Sequence, residues 1–320
     1  MASEAAMDLS IVVVSWNVRT LLEACLRSVY ASLAAAPLAG EVIVVDSASA
    51  DGSAEMVRER YPQALLLAQD ENIGFVRANN LGIRRSRGQH ILLLNPDTEV
   101  VGGALAALWE YLRAHPEVGI VGPKLLNPDG SVQPSRRRFP TLATAFIEST
   151  VLQQWFPKHP LLRRYYVSDR SDDETQEVDW VTGACFLVRR EAFAGVGLLD
   201  EALFMYSEEL DWAYRIKGAG WRVAYLPAAQ VIHHGGQSSS QVVAAQHIYF
   251  QSSKVHFFRK HHGAAAGEAL RWFLLGTYAY QWLREGLKWL IGHKRSMRAP
   301  RLRTYEQVMR SGLKSAGRIS

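Results

Sequence analysis

The chain begins as an alternation of short apolar runs and amphipathic stretches. LSIVVVSW, residues 9–16, is apolar and β-branched at successive positions, the pattern of a strand buried on both faces. Helical spacing follows from about Arg19 to Leu33, and EVIVVD is a second buried strand that ends on a carboxylate. The turn SASADGS breaks it, and Ala54–Arg60 again has helical spacing. ALLLA is a short strand before the loop DENIGF. Arg77–Arg85 is helical, and HILLLN is another buried strand. Strands and helices alternating at this pitch predict an α/β fold with a Rossmann-like, doubly wound, mostly parallel sheet.

Past about residue 120 the pattern changes. VGIVGPKLLNPDGSVQ carries an Asn-Pro-Asp-Gly turn between two strand-like runs. Residues 135–175 show no period. They are basic at Arg136–Arg138, aromatic at Trp155, Phe156, Tyr165 and Tyr166, and acidic at Asp172–Glu174, and are expected to form a mobile acceptor-side segment. Strand-like order returns with VDWVTGACFLVRR, then a helix at Glu208–Lys217 and the strand WRVAYLP.

Arg271–Gly292 is a different object. At 100° per residue Trp272, Leu275, Ala279, Trp282, Leu283, Gly286 and Trp289 share one wide arc. Arg271, Thr277, Gln281, Arg284, Glu285 and Lys288 share the other. The charge-free run Trp272–Leu283 is well short of the ~20 apolar residues a spanning helix needs. The helix is therefore expected either to lie in a membrane interface or to pack its apolar arc into a core.

Charge sharpens that picture. Residues 254–320 carry 14 lysines and arginines against Glu268, Glu285 and Glu306, a net +11, so residues 1–253 carry −6 of the overall +5. An acidic body with a basic C-terminal extension points to an anionic partner. An apolar arc gains nothing from nucleic-acid phosphates, so an anionic membrane surface is expected and nucleic acid is not. The expected division is one α/β domain at 1–255, with a first half at about 8–125 and a second at about 126–255, followed by a basic amphipathic helical tail at 256–320. Cys25 and Cys185 are too few for a disulfide framework or a zinc site and sit in apolar surroundings. With MASEAAMDLS lacking an export pattern, the expected location is cytoplasmic, at the inner face of the cell membrane.

Four loops follow strand ends: Ser15-Trp16-Asn17, Asp46-Ser47, Asn72-Ile73-Gly74 and Asn95-Pro96-Asp97. Ligands of doubly wound sheets bind at the carboxyl ends of strands, so these loops make a candidate nucleotide cradle. Mg²⁺ needs only one or two carboxylates besides phosphate and water oxygens, which Asp97 satisfies. On a helix Glu208, Asp211 and Arg215 share a face, and Asp211 and Arg215 form an i, i+4 pair. Glu209 projects about 100° away and is left to act as a general base. VIHHGGQSS places His233 and His234 after an apolar run, either being a candidate imidazole ligand. No GxGxxG follows the first strand, which argues against a nicotinamide-dependent oxidoreductase.

These pieces together resemble family 2 of the inverting glycosyltransferases, GT-A fold, in its rhamnosyltransferase-like branch. The matching motifs are VVVSWN, VVDSASADGS, NIGFVRANN, LLLNPDTEV, GPKLLNPDGS, WVTGACFLVRREAF, VGLLDEALFMYSEELDWAYRIKGAGWRVAYLP and VIHHGGQSS, in the family's order from about residue 10 to 240. The resemblance implies that Ser15, Trp16, Asn17, Asp46, Ser47, Asn72, Gly74, Asn79, Asn95 and Asp97 bind the donor. It implies that Trp180, Gly183, Ala184 and Glu208 line the acceptor side, and that Asp97, with His233, holds Mg²⁺ or Mn²⁺. The catalytic carboxylates it implies are Glu209, the base, and Asp211. Two departures stand out: Asn95-Pro96-Asp97 replaces the two-carboxylate D-x-D, and VVDSAS has Ser47 where the family's usual residue is Asn.

The implied reaction moves a sugar, rhamnose favoured, from a nucleotide-diphosphate donor (dTDP-rhamnose or a UDP-sugar) to a hydroxyl of a glycan or lipid-linked acceptor. The alternative is a catalytically inactive, nucleotide-binding, membrane-associated scaffold of the same fold; Asp97 and Glu209 both being present argues against it.

Overall fold

The computed structural model of the protein describes residues 7–235 and 243–317. The described residues separate into two compact units. The first holds residues 7–139, 166–200 and 208–235; the second holds 140–165, 201–207 and 243–317. This division does not follow the 1–255/256–320 boundary: residues 140–165 pack with the C-terminal helices.

The first unit is built on a mixed sheet. Its strands are β1 (Leu9–Ser15), β2 (Gly40–Asp46), β3 (Leu65–Ala68), β4 (His90–Leu94), β5 (Thr98–Val101), β6 (Val118–Leu126), β11 (Cys185–Arg189) and β12 (Arg222–His233), in the order β3-β2-β1-β4-β11-β6-β12-β5. The first four run parallel. β11 runs antiparallel to both its neighbours, β6 and β12 run parallel to each other, and β5 closes the sheet antiparallel. β12 is longer than the run WRVAYLP, because a bulge between Leu226 and Gln230 carries it on to His233. Short strands β7 (Val132–Gln133) and β9 (Gln176–Val178) join β6 and β12, and β8 (Arg136–Arg137) pairs with β10 (Trp180–Val181).

Alternation along β1 explains why helices cover both faces. Leu9, Ile11 and Val13 point into a core with α1 (Arg19–Ala34), α2 (Ser53–Arg60) and α4 (Ala104–Ala114). Val14 packs on the other side with Ile43, Val45 and Ala78 of α3 (Phe75–Arg85). α3 lies close to the sheet: a Cβ at Gly82 would stand 2.4 Å from Val12 Cγ1. Neither α1 nor α2 has a side-chain cap from its own N-cap residue, and Asp51 serves both. One Asp51 oxygen accepts from Arg19 N at 2.7 Å and the other from Ser53 N at 3.1 Å. The unit also contains α8 (Arg190–Ala194) and α9 (Glu208–Gly218).

The second unit is helical. Residues 140–165, without period in the sequence, form α5 (Leu142–Ile147), α6 (Val151–Trp155) and α7 (Pro160–Tyr165). Elements of five or six residues make under two turns, too few to show a repeat. The starts of α5 and α6 are set by Thr141 and Thr150, whose hydroxyls accept from Thr144 N and Leu152 N. They pack with α10 (Val243–His262), α11 (Ala264–Leu290) and α12 (Arg295–Ser311).

α11 buries the face the sequence reading left outside. Leu270, Leu274 and Tyr278 turn inward together with Arg271, Thr277 and Glu285. The buried charges are matched: Glu285 pairs with Arg298, and Arg271 donates to Glu268 at 2.9 Å and to the Gly312 carbonyl at 2.9 Å. Trp272, Leu283, Leu287 and Ile291 stand 64, 56, 61 and 81 % exposed. The core alternative for the apolar arc is thereby overturned: the helix packs, but with its opposite face. No helix among the described residues is long and apolar enough to cross a membrane.

Candidate active site

Parallel register brings the predicted loops to one sheet edge. Ser15 lies opposite Asp46, Asp46 opposite Ala68, and Val13 opposite Leu94, so four chain segments leave the sheet side by side. Ser15, Asp46 and Ser47 are buried, and Ser15 Oγ, Ser47 Oγ and Asp46 Oδ1 have no hydrogen-bond partner among the described residues. Such groups cost about 1–3 kcal/mol each when left unsatisfied, and a donor or acceptor on a ligand removes that cost. The remaining polar groups fix the loops. Ser47 N donates to the Ser15 carbonyl, Asp46 Oδ2 accepts from Ser49 N, and Asn17 Oδ1 accepts from Ala50 N at 2.8 Å. Asn17 and Ala48 both take positive φ, 53° and 59°, so the β1 and β2 loops turn sharply at the edge. Trp16 is half-buried beside them.

Two expected donor residues have internal duties. Asn72 Oδ1 accepts from Gly74 N at 3.0 Å, an Asx turn that starts α3. Asn79 is buried and donates back to the Phe75 carbonyl at 2.9 Å.

The loop after β4 carries the sharpest chemistry. Asp97 is buried, and His233 Nε2 stands 3.4 Å from its Oδ1. His233 Nδ1 is held by Gln133 Oε1 at 2.6 Å, which fixes the ring with Nε2 toward Asp97. His233 Nε2 is buried with no hydrogen-bond partner among the described residues. His234 turns elsewhere, to Glu99 at 2.9 Å, so of the two histidines it is His233 that faces the carboxylate. A carboxylate oxygen and an unused imidazole nitrogen facing each other fit a divalent cation. No group of three or more His, Cys, Asp or Glu side chains among the described residues is placed to hold a metal ion, so such an ion would draw its other oxygens from phosphate and water. Of VIHHGGQSS, residues 236–239 lie outside the described residues.

Glu209 reaches the same edge through main chain. Its Oε1 accepts from Gly183 N at 3.1 Å, and the next carbonyl, Ala184, accepts from Asn95 N at 2.9 Å. Two hydrogen bonds thus tie the α9 carboxylate to the loop of Asn95 and Asp97. Gly183 leaves room for this approach: a Cβ there would lie 3.2 Å from Glu209 Oε1, tighter than side chains ordinarily pack. Glu209 Oε2 is buried without a hydrogen-bond partner among the described residues, and burial pushes the carboxyl above its ordinary pKa, against the lowering pull of the Gly183 N–H and Arg137. Glu208 is buried alongside, and Trp180 Nε1 donates to the Arg138 carbonyl at 3.1 Å, holding the indole against β8. Asp211, placed among the catalytic carboxylates from the sequence, is buried and accepts from Arg215 Nε at 2.8 Å. Arg215 in turn donates to the carbonyls of Val196 and Leu198. Asp211 therefore orients an arginine that ties down the preceding loop.

The sequence profile of glycosyl transferase family 2 matches residues 10–197. The chain belongs to that family. The transferase is 33 % identical over 249 residues to the N-acetylglucosaminyl-diphospho-decaprenol L-rhamnosyltransferase of Mycobacterium tuberculosis, covering 74 % of this chain and 80 % of that protein. It is 26 % identical over 226 residues to the rhamnosyltransferase WbbL of Escherichia coli, covering 65 % of this chain and 69 % of that one. Among solved structures, the mannosyltransferase PcManGT of Pyrobaculum calidifontis, in complex with GDP-Man and Mn²⁺, superposes with a TM-score of 0.55 at 19 % identity, over 98 % of this chain and 88 % of that one. That likeness supports the GT-A fold expected from the motifs.

Two residues of the transferase escaped the sequence reading. Gln133 orients His233 across 100 positions of sequence. Arg137, noted only as part of a basic run, acts electrostatically on Glu209. The signal that could have found Gln133 is its place just after the Asn-Pro-Asp-Gly turn, where β7 returns along β6.

Proposed function

We propose that this glycosyltransferase moves a sugar, rhamnose favoured, from a nucleotide-diphosphate donor to a hydroxyl of a lipid-linked glycan, with inversion. The observation that carries the reading is the hydrogen-bonded link from Glu209 through Gly183, Ala184 and Asn95 to the loop of Asp97, which brings a free carboxylate oxygen to the edge where a donor diphosphate would lie.

Glu209 Oε2 takes the proton from the acceptor hydroxyl, and burial, which raises its pKa, makes it a stronger base than an exposed glutamate. The acceptor oxygen bonds to the anomeric carbon as the bond to the diphosphate oxygen breaks on the opposite side, so one displacement inverts the configuration. The strand-end groups Ser15, Asp46 and Ser47 take the base and ribose. Asp97 and His233 would hold Mg²⁺ or Mn²⁺, whose charge stabilises a departing diphosphate. The Mycobacterium relative is named for a sugar on a diphospho-decaprenol, and the rhamnosyl names of two relatives support rhamnose as the sugar moved.

A lipid-linked acceptor requires work at a membrane. We assign the outer face of α11 to the anionic inner leaflet: Trp272, Trp282 and Trp289 are exposed, and Lys288, Lys294 and Arg295 stand nearby in the chain. Tryptophan favours the headgroup boundary, and each basic residue there adds about 1 kcal/mol.

The test is transfer from a panel of dTDP- and UDP-sugars to a short-chain lipid-linked acceptor, with the product's anomeric configuration read by NMR. Turnover with dTDP-rhamnose and inversion is expected. Nucleotide binding without turnover on any donor would favour the inactive scaffold.

A further inference from the structure

The second unit contains a hollow that the donor site does not use. A cavity of about 740 Å³ is walled by Tyr206, Gln246, Phe250, Gln251 and Tyr278. A neighbouring cavity of about 490 Å³ is walled by Arg284, Arg301 and Thr304. The two share Gln154, His247, Gln281 and Tyr305, so they form one trough. Each cavity by itself lies within the range of about 300–1,000 Å³ typical of small-molecule sites.

The two ends differ in chemistry. The first offers amides and aromatic rings, which suit a sugar: amides match vicinal hydroxyls as paired donors and acceptors, and ring faces pack on its C–H groups. Gln251 is 3 % exposed, and its Oε1 has no hydrogen-bond partner among the described residues. His247 Nδ1 and the Tyr278 hydroxyl hold each other at 2.9 Å and fix that wall. Tyr206 is held there at a positive φ of 70°, a strained position of the kind that gathers at binding sites.

The other end is cationic. Arg284 Nε is buried with no hydrogen-bond partner among the described residues. Glu285 also lines this end; one of its oxygens pairs with Arg298 and the other stands 3.7 Å from Arg284, so Arg284, Arg298 and Arg301 face a single carboxylate and the end stays cationic. Guanidinium forks are the side chains best matched to phosphate oxygens.

We infer that this trough binds the glycosyl-diphosphate head of the acceptor, the sugar among Gln246, Gln251 and Tyr206 and the diphosphate at Arg284 and Arg301. The inference rests on the reading of the acceptor as lipid-linked and deepens it. The polarity of the trough agrees with that ligand: Leu283 and Leu287, which flank Arg284 on α11, are exposed to meet the apolar chain that follows a diphosphate. In the sequence, Tyr206 precedes Glu209 by three residues, so the chain that grips the sugar runs directly into the helix that carries the base.

The test uses the full-length chain and calorimetry with N-acetylglucosaminyl diphosphate on a short alkyl chain, in the presence of saturating nucleoside diphosphate. Arg284→Gln with Arg301→Gln should weaken binding about tenfold or more, the loss of two charge-assisted contacts. Gln251→Leu should weaken it about fivefold, and should leave the binding of an alkyl diphosphate lacking the sugar unchanged. Affinity for the nucleotide-sugar donor should stay at the wild-type value in every variant. Wild-type affinity for the probe in the arginine variant, or no binding of the probe by the wild-type chain, overturns the inference. If the arginine variant loses affinity for the donor as well, the trough is not a separate acceptor site, and the inference falls. A wild-type chain that binds the probe but no nucleotide sugar overturns the transferase reading and leaves the trough assignment standing.

Discussion

At the strand edge of the first unit, polar atoms of Ser15, Asp46, Ser47, Asn95, Glu209 and His233 are buried without a hydrogen-bond partner among the described residues. In the helical unit the buried charges are matched instead: Glu285 with Arg298, Glu148 with Lys254, and Arg271 with Glu268 and a carbonyl. Both regions bury polar groups at a similar cost. The helical unit recovers it within the fold, which fixes one packing of α10–α12. The strand edge leaves it unrecovered, so that a ligand can recover it. Among its described residues the helical unit repeats the second pattern along its trough, at Gln251 and Arg284, and at the neighbouring Ser252 hydroxyl. A single helix shows the same split: on α9, Asp211 is paired and Glu209 Oε2 is not.

The largest effect should come from Asp97. Asp97→Ala should abolish transfer while thermal unfolding stays near that of the wild type, and EDTA should do the same to the native protein. Full activity in EDTA would remove the metal role from Asp97 and His233.

Glu209→Gln should lower kcat by roughly 10²–10⁴ with donor affinity retained, the usual size of general-base catalysis. The sign of its pH dependence follows from burial. The base form is lost as pH falls through a pKa raised above the ordinary glutamate value of about 4.3, so the acid limb of kcat should begin above that value. The Glu209→Gln variant should lose that limb. An unchanged limb in the variant would assign it to another group.

Asp211→Asn separates the paired carboxylate from the free one. It should destabilise the fold by roughly 2–3 kcal/mol in urea, below the 3–5 of a fully desolvated pair because Arg215 keeps its carbonyl acceptors. Turnover per folded molecule should stay near wild type. A larger loss in kcat than in stability would return Asp211 to the chemistry.

The smallest effect is on the outer face of α11. Trp272→Ser with Leu283→Ser should reduce flotation with anionic vesicles about tenfold and leave stability within about 0.5 kcal/mol, since neither side chain is buried. High salt should weaken flotation of the wild type. Retained flotation with lost stability would mean that the exposed face belongs to the fold.

Much of the strand edge was legible in sequence. Buried parallel strands read as unbroken apolar runs, and polar residues directly after them fall at one edge whatever else the fold does. The separation of Glu209 from Asp211 was legible too, because both lie on one helix and 100° per residue is local geometry. What pattern could not give was contact across distance. Gln133 meets His233, and Ala184 meets Asn95, only because β7 and β11 return to the sheet beside β6 and β4. That α11 packs through its polar arc was hidden for a related reason: Arg271 and Glu285 look like solvent-facing residues until Gly312 and Arg298 arrive to pair with them. The short helices of 140–165 were invisible, since nothing repeats in five residues.

Both thiols of the chain are out of reach. Cys25 lies beneath the Asp97 loop, its Sγ 3.7 Å from Thr98 Oγ1, and burial pushes its pKa up to about 12; Cys185 is buried in β11 and shifted the same way. A thiol that does not ionise does not react with alkylating reagents. The native protein therefore behaves toward such reagents as though it had no cysteine. A single new one at Leu283, which is 56 % exposed, could carry an environment-sensitive dye without first deleting the others, giving an optical reporter for lipid contact.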